Sequence, residues 1–142
     1  MKQLDIQKIK DYFNKRKEVA AVYLYGSQAR GDAKKSSDID LAVLVTDKRK
    51  YHGFGIPQVV FAQDLSKLLD KKVEVQDLDA CSAEFAHRVL SEGKLLVSNN
   101  EKERIKFQMK ITREYFDLKP LLDEYDNYLS KIIKRGDLNV RY

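Results

Sequence analysis

Two apolar runs, Val19–Tyr25 and residues 38–45, constrain this chain more than anything else in it. The first, Val-Ala-Ala-Val-Tyr-Leu-Tyr, is continuous, β-branched and aromatic, and reads as a buried strand. The second opens by alternation, Asp38 and Asp40 against Ile39 and Leu41, and then becomes wholly apolar. That is the pattern of a strand whose start emerges from the core, and chemistry belongs at the emerging end. Residues 26–37 between the two runs are polar and contain glycine, as a turn requires.

The remaining elements follow from periodicity. Leu4, Ile6, Ile9 and Phe13 recur at helical spacing ahead of the first strand, and Phe61, Leu65, Leu68 and Leu69 mark a second helix face after a loop at 46–57. Residues 73–78, Val-Glu-Val-Gln-Asp-Leu, alternate at period two and predict a third strand, with Glu74 and Gln76 opposite Val73 and Val75. A helix over 82–91 is expected next, capped by Gly93, then a short fourth strand at 94–97. From Glu101 onward the spacing of Ile105, Met109, Leu121, Leu122, Tyr125, Tyr128, Leu129 and Ile132 is that of a long helical tail, which Pro120 is expected to break or kink. The order of elements defines an α/β (α+β) domain: a mixed sheet flanked by helices, with a C-terminal helical extension.

Composition excludes several function classes. A chain of 142 residues with 43% hydrophobic content buries roughly 70% of its unfolded surface and needs no disulfide or structural metal to hold a core. Its one cysteine, Cys81, cannot make an intramolecular disulfide, and no Cys/His cluster has zinc spacing. The N-terminus lacks a signal-peptide run, and no apolar stretch approaches the eighteen or so residues of a membrane span. A cytoplasmic protein with no membrane partner is expected. The net charge of +5, from 27 basic and 22 acidic residues, is spread along the chain. Short clusters such as Lys15-Arg16-Lys17, Lys34-Lys35, Lys48-Arg49-Lys50 and Lys71-Lys72 read as solvated turns, which argues against direct nucleic-acid binding.

The segment that carries chemistry is Tyr25-Gly26-Ser27-Gln28-Ala29-Arg30-Gly31, and ten residues separate its Ser27 from Asp38-Ile39-Asp40. A glycine just past a strand lets backbone approach a ligand closely, and a serine at the start of the next helical turn offers a hydroxyl and N–H donors to phosphate oxygens. Two aspartates spaced i, i+2 on a strand put their carboxylates on one face. Their repulsion raises one pKa or demands a cation, and Mg²⁺ prefers such hard oxygen ligands. A third carboxylate from the third strand would complete a site for two Mg²⁺ ions. Glu74 is preferred to Asp77, which lies one step off that face near the strand's end. Arg30 is suited to phosphate, and equally to pairing with Asp32 or Asp38.

Gly26-Ser27, ten intervening residues and Asp38-Ile39-Asp40 resemble the nucleotidyltransferase motif of the DNA polymerase β superfamily. The Gly-Ser-x-Ala-Arg-Gly form and the short chain are similar to the minimal nucleotidyltransferases (MNT), partners of HEPN-domain toxins in prokaryotic toxin–antitoxin pairs. The resemblance covers residues 19–97 and extends less specifically into the tail. It implies a polymerase β-like domain over 1–98, with residues 99–142 packing on it or on the partner. It also implies transfer of AMP from ATP onto a tyrosine of a HEPN ribonuclease, within a hetero-oligomer. Carried over by position, Gly26, Ser27 and Arg30 hold the triphosphate. Asp38 and Asp40 bind both Mg²⁺ ions, and Glu74, where the family more often has Asp, is the third ligand and a candidate base.

The same residues admit other readings. Gly26 and Gly31 are spaced like half of a P-loop, but Asp32-Ala33 stands where Lys-Ser/Thr is needed. His52 and His87 have no nucleophile arranged beside them and read as surface or packing residues. Cys81 reads as inert. Gly53-Phe54-Gly55 reads as a simple turn rather than a loop over the nucleotide. The tail's Tyr115, Tyr125 and Tyr128 are core cover or the place where a partner docks. Neutralisation by masking alone, and transfer to a small molecule of the aminoglycoside type, are the competing functions.

Overall fold

The computed structural model describes residues 2–31, 38–51 and 56–135. The readings made above for Asp32, Lys34-Lys35, His52 and Gly53-Phe54-Gly55 fall outside them. In chain order the elements are α1 (Gln3–Asn14), β1 (Val19–Tyr25), α2 (Ser27–Arg30), β2 (Ile39–Val45), α3 (Pro57–Leu69), β3 (Val73–Asp77), α4 (Ala83–Glu92), β4 (Lys94–Ser98) and α5 (Glu101–Lys134). Short 3-10 turns occupy Arg49–Tyr51 and Leu78–Ala80.

The strands form one mixed sheet in the order β3-β2-β1-β4. β1 pairs antiparallel with β2 and β4, and β2 pairs parallel with β3 across the α3 crossover. Side chains alternate faces along a strand, and here the two faces differ in kind. One face carries Val22, Leu24, Ile39, Leu41, Val43, Val73 and Val75 against Ile9 and Phe13 of α1 and Phe61, Leu65 and Leu69 of α3. Phe61 is the hub of that layer, edge-on to Phe13 at 5.2 Å and to Tyr51 at 5.3 Å. The other face carries the small residues Ala20, Ala21 and Ala42, with Tyr23 and Leu44, against Ala86 and Val89 of α4 and Phe107 and Ile111 of α5. Small side chains let these two helices lie close to the sheet.

Several expectations change against the structure. α5 runs on through Pro120: a proline costs the hydrogen bond to the carbonyl four residues back, that of Phe116, and the rest of the ladder continues. Gly93 ends α4 with φ −76° and ψ 166°, so it is no left-handed cap. It is glycine because a Cβ there would stand 2.5 Å from the Val89 carbonyl oxygen and 3.1 Å from that of Leu24. Left-handed C-caps close α2, at Gly31 with φ 80°, and α3, at Asp70 with φ 51°. Leu4 and Leu68, which share the helical spacing of the buried Ile9, Phe13, Phe61 and Leu65, are themselves exposed, each in a terminal turn of its helix.

The basic clusters are largely engaged in internal contacts. Lys48 reaches the buried carboxylate of Asp77 at 2.7 Å, and Lys71 reaches Asp5 at 2.8 Å. Arg49 forks onto Asp47, and Arg16 lies 3.6 Å over the Tyr12 ring. At the far edge of the sheet the Asn99 side-chain amide donates to the carbonyls of Phe13, Arg16 and Val19 at 2.8–3.1 Å, joining the α1–β1 turn to the end of β4. Among the described residues no helix is long and apolar enough to cross a membrane.

Candidate active site

The register of the sheet sets the geometry. Tyr25 stands opposite Asp40 across the β1–β2 ladder, and Asp40 stands opposite Glu74 across β2–β3. Directly opposed residues share a face, so Tyr25, Asp40 and Glu74 form a row on the face lined further along by Ala42 and Leu44. Asp38 sits just before β2, two residues from Asp40 and on the same side. The row lies at one edge of the sheet, where β1 ends and β2 and β3 begin.

Gly26 connects that row to α2. It caps the helix with φ 74° and ψ −153°, a conformation essentially restricted to glycine. A Cβ at this position would stand 2.6 Å from Asp40 Oδ2, so the backbone of residue 26 rests directly against the carboxylate. Ser27 then opens α2, and Ala29 and Arg30 return N–H bonds of 3.1 Å to the Gly26 carbonyl. A helix opening leaves its first N–H groups without acceptors in the helix, which suits anionic oxygens.

Electrostatics in the row run as its crowding demands. Burial, and then the charges of Glu74 and Asp38, push the Asp40 carboxyl above the ordinary carboxylate range, opposed by the Arg30 guanidinium. The Tyr25 phenol is pushed up to about 12 by burial, with Asp40 and Glu74 adding to the effect. Lys72 places its ammonium 3.4 Å from Glu74 Oε1 and 3.7 Å from Asp38 Oδ2. Among the described residues no three His, Cys, Asp or Glu side chains are already closed into a metal-holding group. Asp38 and Glu74 instead share Lys72. The donor set is nevertheless all carboxylate oxygen around a group whose ionisation its neighbours resist, and that chemistry fits Mg²⁺.

The structure thus gathers Gly26, Ser27, Arg30, Asp38, Asp40 and Glu74 at one edge. Asp77 is elsewhere: it is buried, held by Lys48, and its carboxylate accepts the Asp79 N–H at 3.1 Å. His87 is a packing residue, stacked on Tyr115 at 3.8 Å with the rings 2° from parallel. The Cys81 Sγ donates to the Asp77 carbonyl at 3.1 Å, and burial pushes its thiol up, away from a reactive thiolate. Sequence reasoning missed Lys72 as a member of the site and gave Tyr25, the first residue of the motif, no role of its own. Period two places residue 72 on the face of Glu74, but the link to Asp38 needs the β2–β3 register, which no local pattern reveals.

Residues 7–102 match the family described as polymerase beta, nucleotidyltransferase, and the chain belongs to it. A protein adenylyltransferase MntA from Aphanizomenon flos-aquae is 30% identical over 121 residues, covering 76% of this chain and 79% of the relative. A protein adenylyltransferase MntA from Shewanella oneidensis is 32% identical over 84 residues, 59% of this chain and 58% of the relative. Among solved structures, a toxin–antitoxin with AMP-PNP superposes with a TM-score of 0.67 at 25% identity, covering 94% of this chain and 99% of that one. A tri-AMPylated Shewanella oneidensis HEPN toxin in complex with its MNT antitoxin gives 0.64 at 26% identity, covering 94% and 99%.

Proposed function

We propose that this chain is a Mg²⁺-dependent protein adenylyltransferase that moves AMP from ATP to a tyrosine of a HEPN-type toxin, and so acts as its antitoxin in the cytoplasm. The observation that supports this most is the row of Asp40 and Glu74, with Asp38 beside it, set against the Gly26–Ser27 opening of α2. Relatives named protein adenylyltransferase, and a structural neighbour in complex with a tri-AMPylated toxin, agree with it.

In this reading Asp38 and Asp40 hold two Mg²⁺ ions and Glu74 is the third ligand. Bound there, Mg²⁺ stabilises negative charge on the attacking and departing oxygens. Gly26 and Ser27 bind triphosphate oxygens through backbone N–H groups and the Ser27 hydroxyl, and Arg30 adds a guanidinium. Glu74, at the β3 end of the row, faces the acceptor and takes the phenolic proton as the tyrosine attacks. Tyr25 fills the β1 end and limits water around Asp40. The exposed Leu121, Tyr125 and Tyr128 share one face of α5 and offer the partner an apolar surface.

Intact-mass spectrometry of the co-purified partner tests this, before and after incubation with the protein, ATP and Mg²⁺, with Asp38→Asn as control. Mass steps of whole AMP units that vanish with Asp38→Asn are expected. A tight complex without a mass change would replace this reading with neutralisation by masking. Transfer to a free small molecule without any protein acceptor would replace it with the resistance-enzyme type.

A further inference from the structure

A cavity of about 220 Å³ opens beside the row, lined among others by Tyr25, Gly26, Arg30, Phe85, Arg88 and Glu92. Across the sheet edge the order is Glu74 on β3, Asp40 on β2 and Tyr25 on β1, with the cavity beyond Tyr25 under α4. Carboxylate and cavity therefore lie on opposite sides of Asp40. Two guanidinium groups reach the cavity from different elements, Arg30 from α2 and Arg88 from α4. Tyr25 and Phe85 meet edge-on at 5.5 Å in its wall. Arg88 is exposed, and among the described residues its ion pair is the long one to Glu84 at 3.9 Å, so its guanidinium is available. Glu92, one turn further along α4, is the one carboxylate in the lining and limits how tightly an anion is held.

We infer that Arg88 is a leaving-group residue: with Arg30 it holds the β- and γ-phosphates of the nucleotide before transfer and the pyrophosphate after it. The inference rests on the function proposed above and adds a residue to it. In an in-line displacement the attacking and departing oxygens lie on opposite sides of the α-phosphorus. With the acceptor on the Glu74 side, the leaving group points to the cavity. The tyrosine oxygen forms a bond to the α-phosphorus as the bond to the bridging oxygen breaks. The electron pair leaves on pyrophosphate, and the phenolic proton passes to Glu74. Two guanidinium forks match phosphate oxygens where that charge appears. The volume is below the 300 Å³ or so at which pockets for whole drug-sized ligands begin, which suits a diphosphate rather than a complete nucleotide.

The test is calorimetric binding of ATP, AMP and inorganic pyrophosphate, each with Mg²⁺, to the full chain and its Arg88→Gln and Arg88→Lys variants, together with AMP transfer to the partner. Losing Arg88 should weaken ATP and pyrophosphate by about 10- to 100-fold and leave AMP unchanged. KM for ATP should rise and kcat fall, and Arg88→Lys should recover part of both. Equal weakening of AMP and ATP, or pyrophosphate binding that ignores Arg88, would overturn the inference. Thermal melts check folding, and Arg88→Lys alone decides the matter if Arg88→Gln does not fold. If the wild-type chain transfers no AMP, the proposed function fails instead, while the comparison of pyrophosphate with AMP still judges Arg88.

Discussion

Gly26→Ala places a methyl group where the structure has room for none, and its two consequences can be separated. The backbone at φ 74° and ψ −153° costs a non-glycine residue about 1–3 kcal/mol. In a chain of this length that lowers Tm by roughly 3 to 12 °C. The new Cβ would also lie 2.6 Å from Asp40 Oδ2, whereas ordinary contact begins at 3.4 Å, so the carboxylate must retreat by 0.8 Å. A misplacement of about 1 Å at a reacting centre costs on the order of 10²-fold in rate. Gly31→Ala is the matched control: φ is 80° there, yet a Cβ meets nothing within 4 Å. It should lose about 1 kcal/mol and a few degrees of Tm with little change in rate. The assay is the initial rate of labelled AMP transfer to the co-purified partner, normalised to the folded fraction from thermal melts. Equal rate losses for the two variants, or an unchanged rate in Gly26→Ala, would refute the argument that this contact positions Asp40.

Glu74→Gln and Asp77→Asn should separate the two β3 carboxylates. The first should cut transfer by several kcal/mol of transition-state stabilisation, roughly 10³-fold, at little cost in Tm. The second, at a buried carboxylate whose partner Lys48 is half-exposed, should lower stability by about 1–3 kcal/mol and spare the rate per folded molecule; the reverse pattern would move the third ligand to Asp77. Asp40→Asn should abolish transfer and raise the Tm of metal-free protein at neutral pH. Because the folded state holds the Asp40 proton more tightly than the unfolded state, metal-free wild type gains stability as pH falls through the raised folded-state pKa towards the ordinary carboxylate value. Melts in chelator across that range should show the gain in wild type and its loss in Asp40→Asn. Asn99→Ala, which removes one amide from three carbonyls, should cost about 1–3 kcal/mol in denaturant titrations without changing transfer.

The local rules that make strands made this fold readable. Val19–Tyr25 and the alternation of Val73, Glu74, Val75 and Gln76 place the chain's buried sheet directly, since period and β-branching act within a few residues. The glycine, serine and paired aspartates of the site were legible for the same reason: their spacing puts them on one turn and one face. What stayed hidden depends on contacts between distant segments. The contact between residue 26 and Asp40 needs the antiparallel register, the Lys72 bridge needs the parallel one, and Arg88 reaches the site only through the seating of α4. Gly93 does cap α4, as glycine after a helix usually does; its backbone is extended rather than left-handed, and neighbouring carbonyls rather than φ exclude a side chain there. Pro120 looked like an ending because a lost hydrogen bond is a local cost, whereas a long helix keeps its remaining bonds.

The mixed pairing of the sheet also divides the labour between its two rims. At one rim β1 finishes while β2, β3 and β4 begin, with Tyr25 opposite Asp40, Ile39 opposite Val73 and Leu24 opposite Lys94. At the other rim β1 begins and the remaining strands end. The step from Tyr25 through Gly26 into α2 at the first rim is held to a fixed length by the groups it brings together. Connections at the second rim join elements whose relative places the core already sets, and loop length alone costs little there. A residue inserted between Tyr25 and Ser27 should therefore abolish transfer, because it moves Gly26 away from Asp40. The rim that carries the carboxylates is thus the one where chain length itself is part of the site.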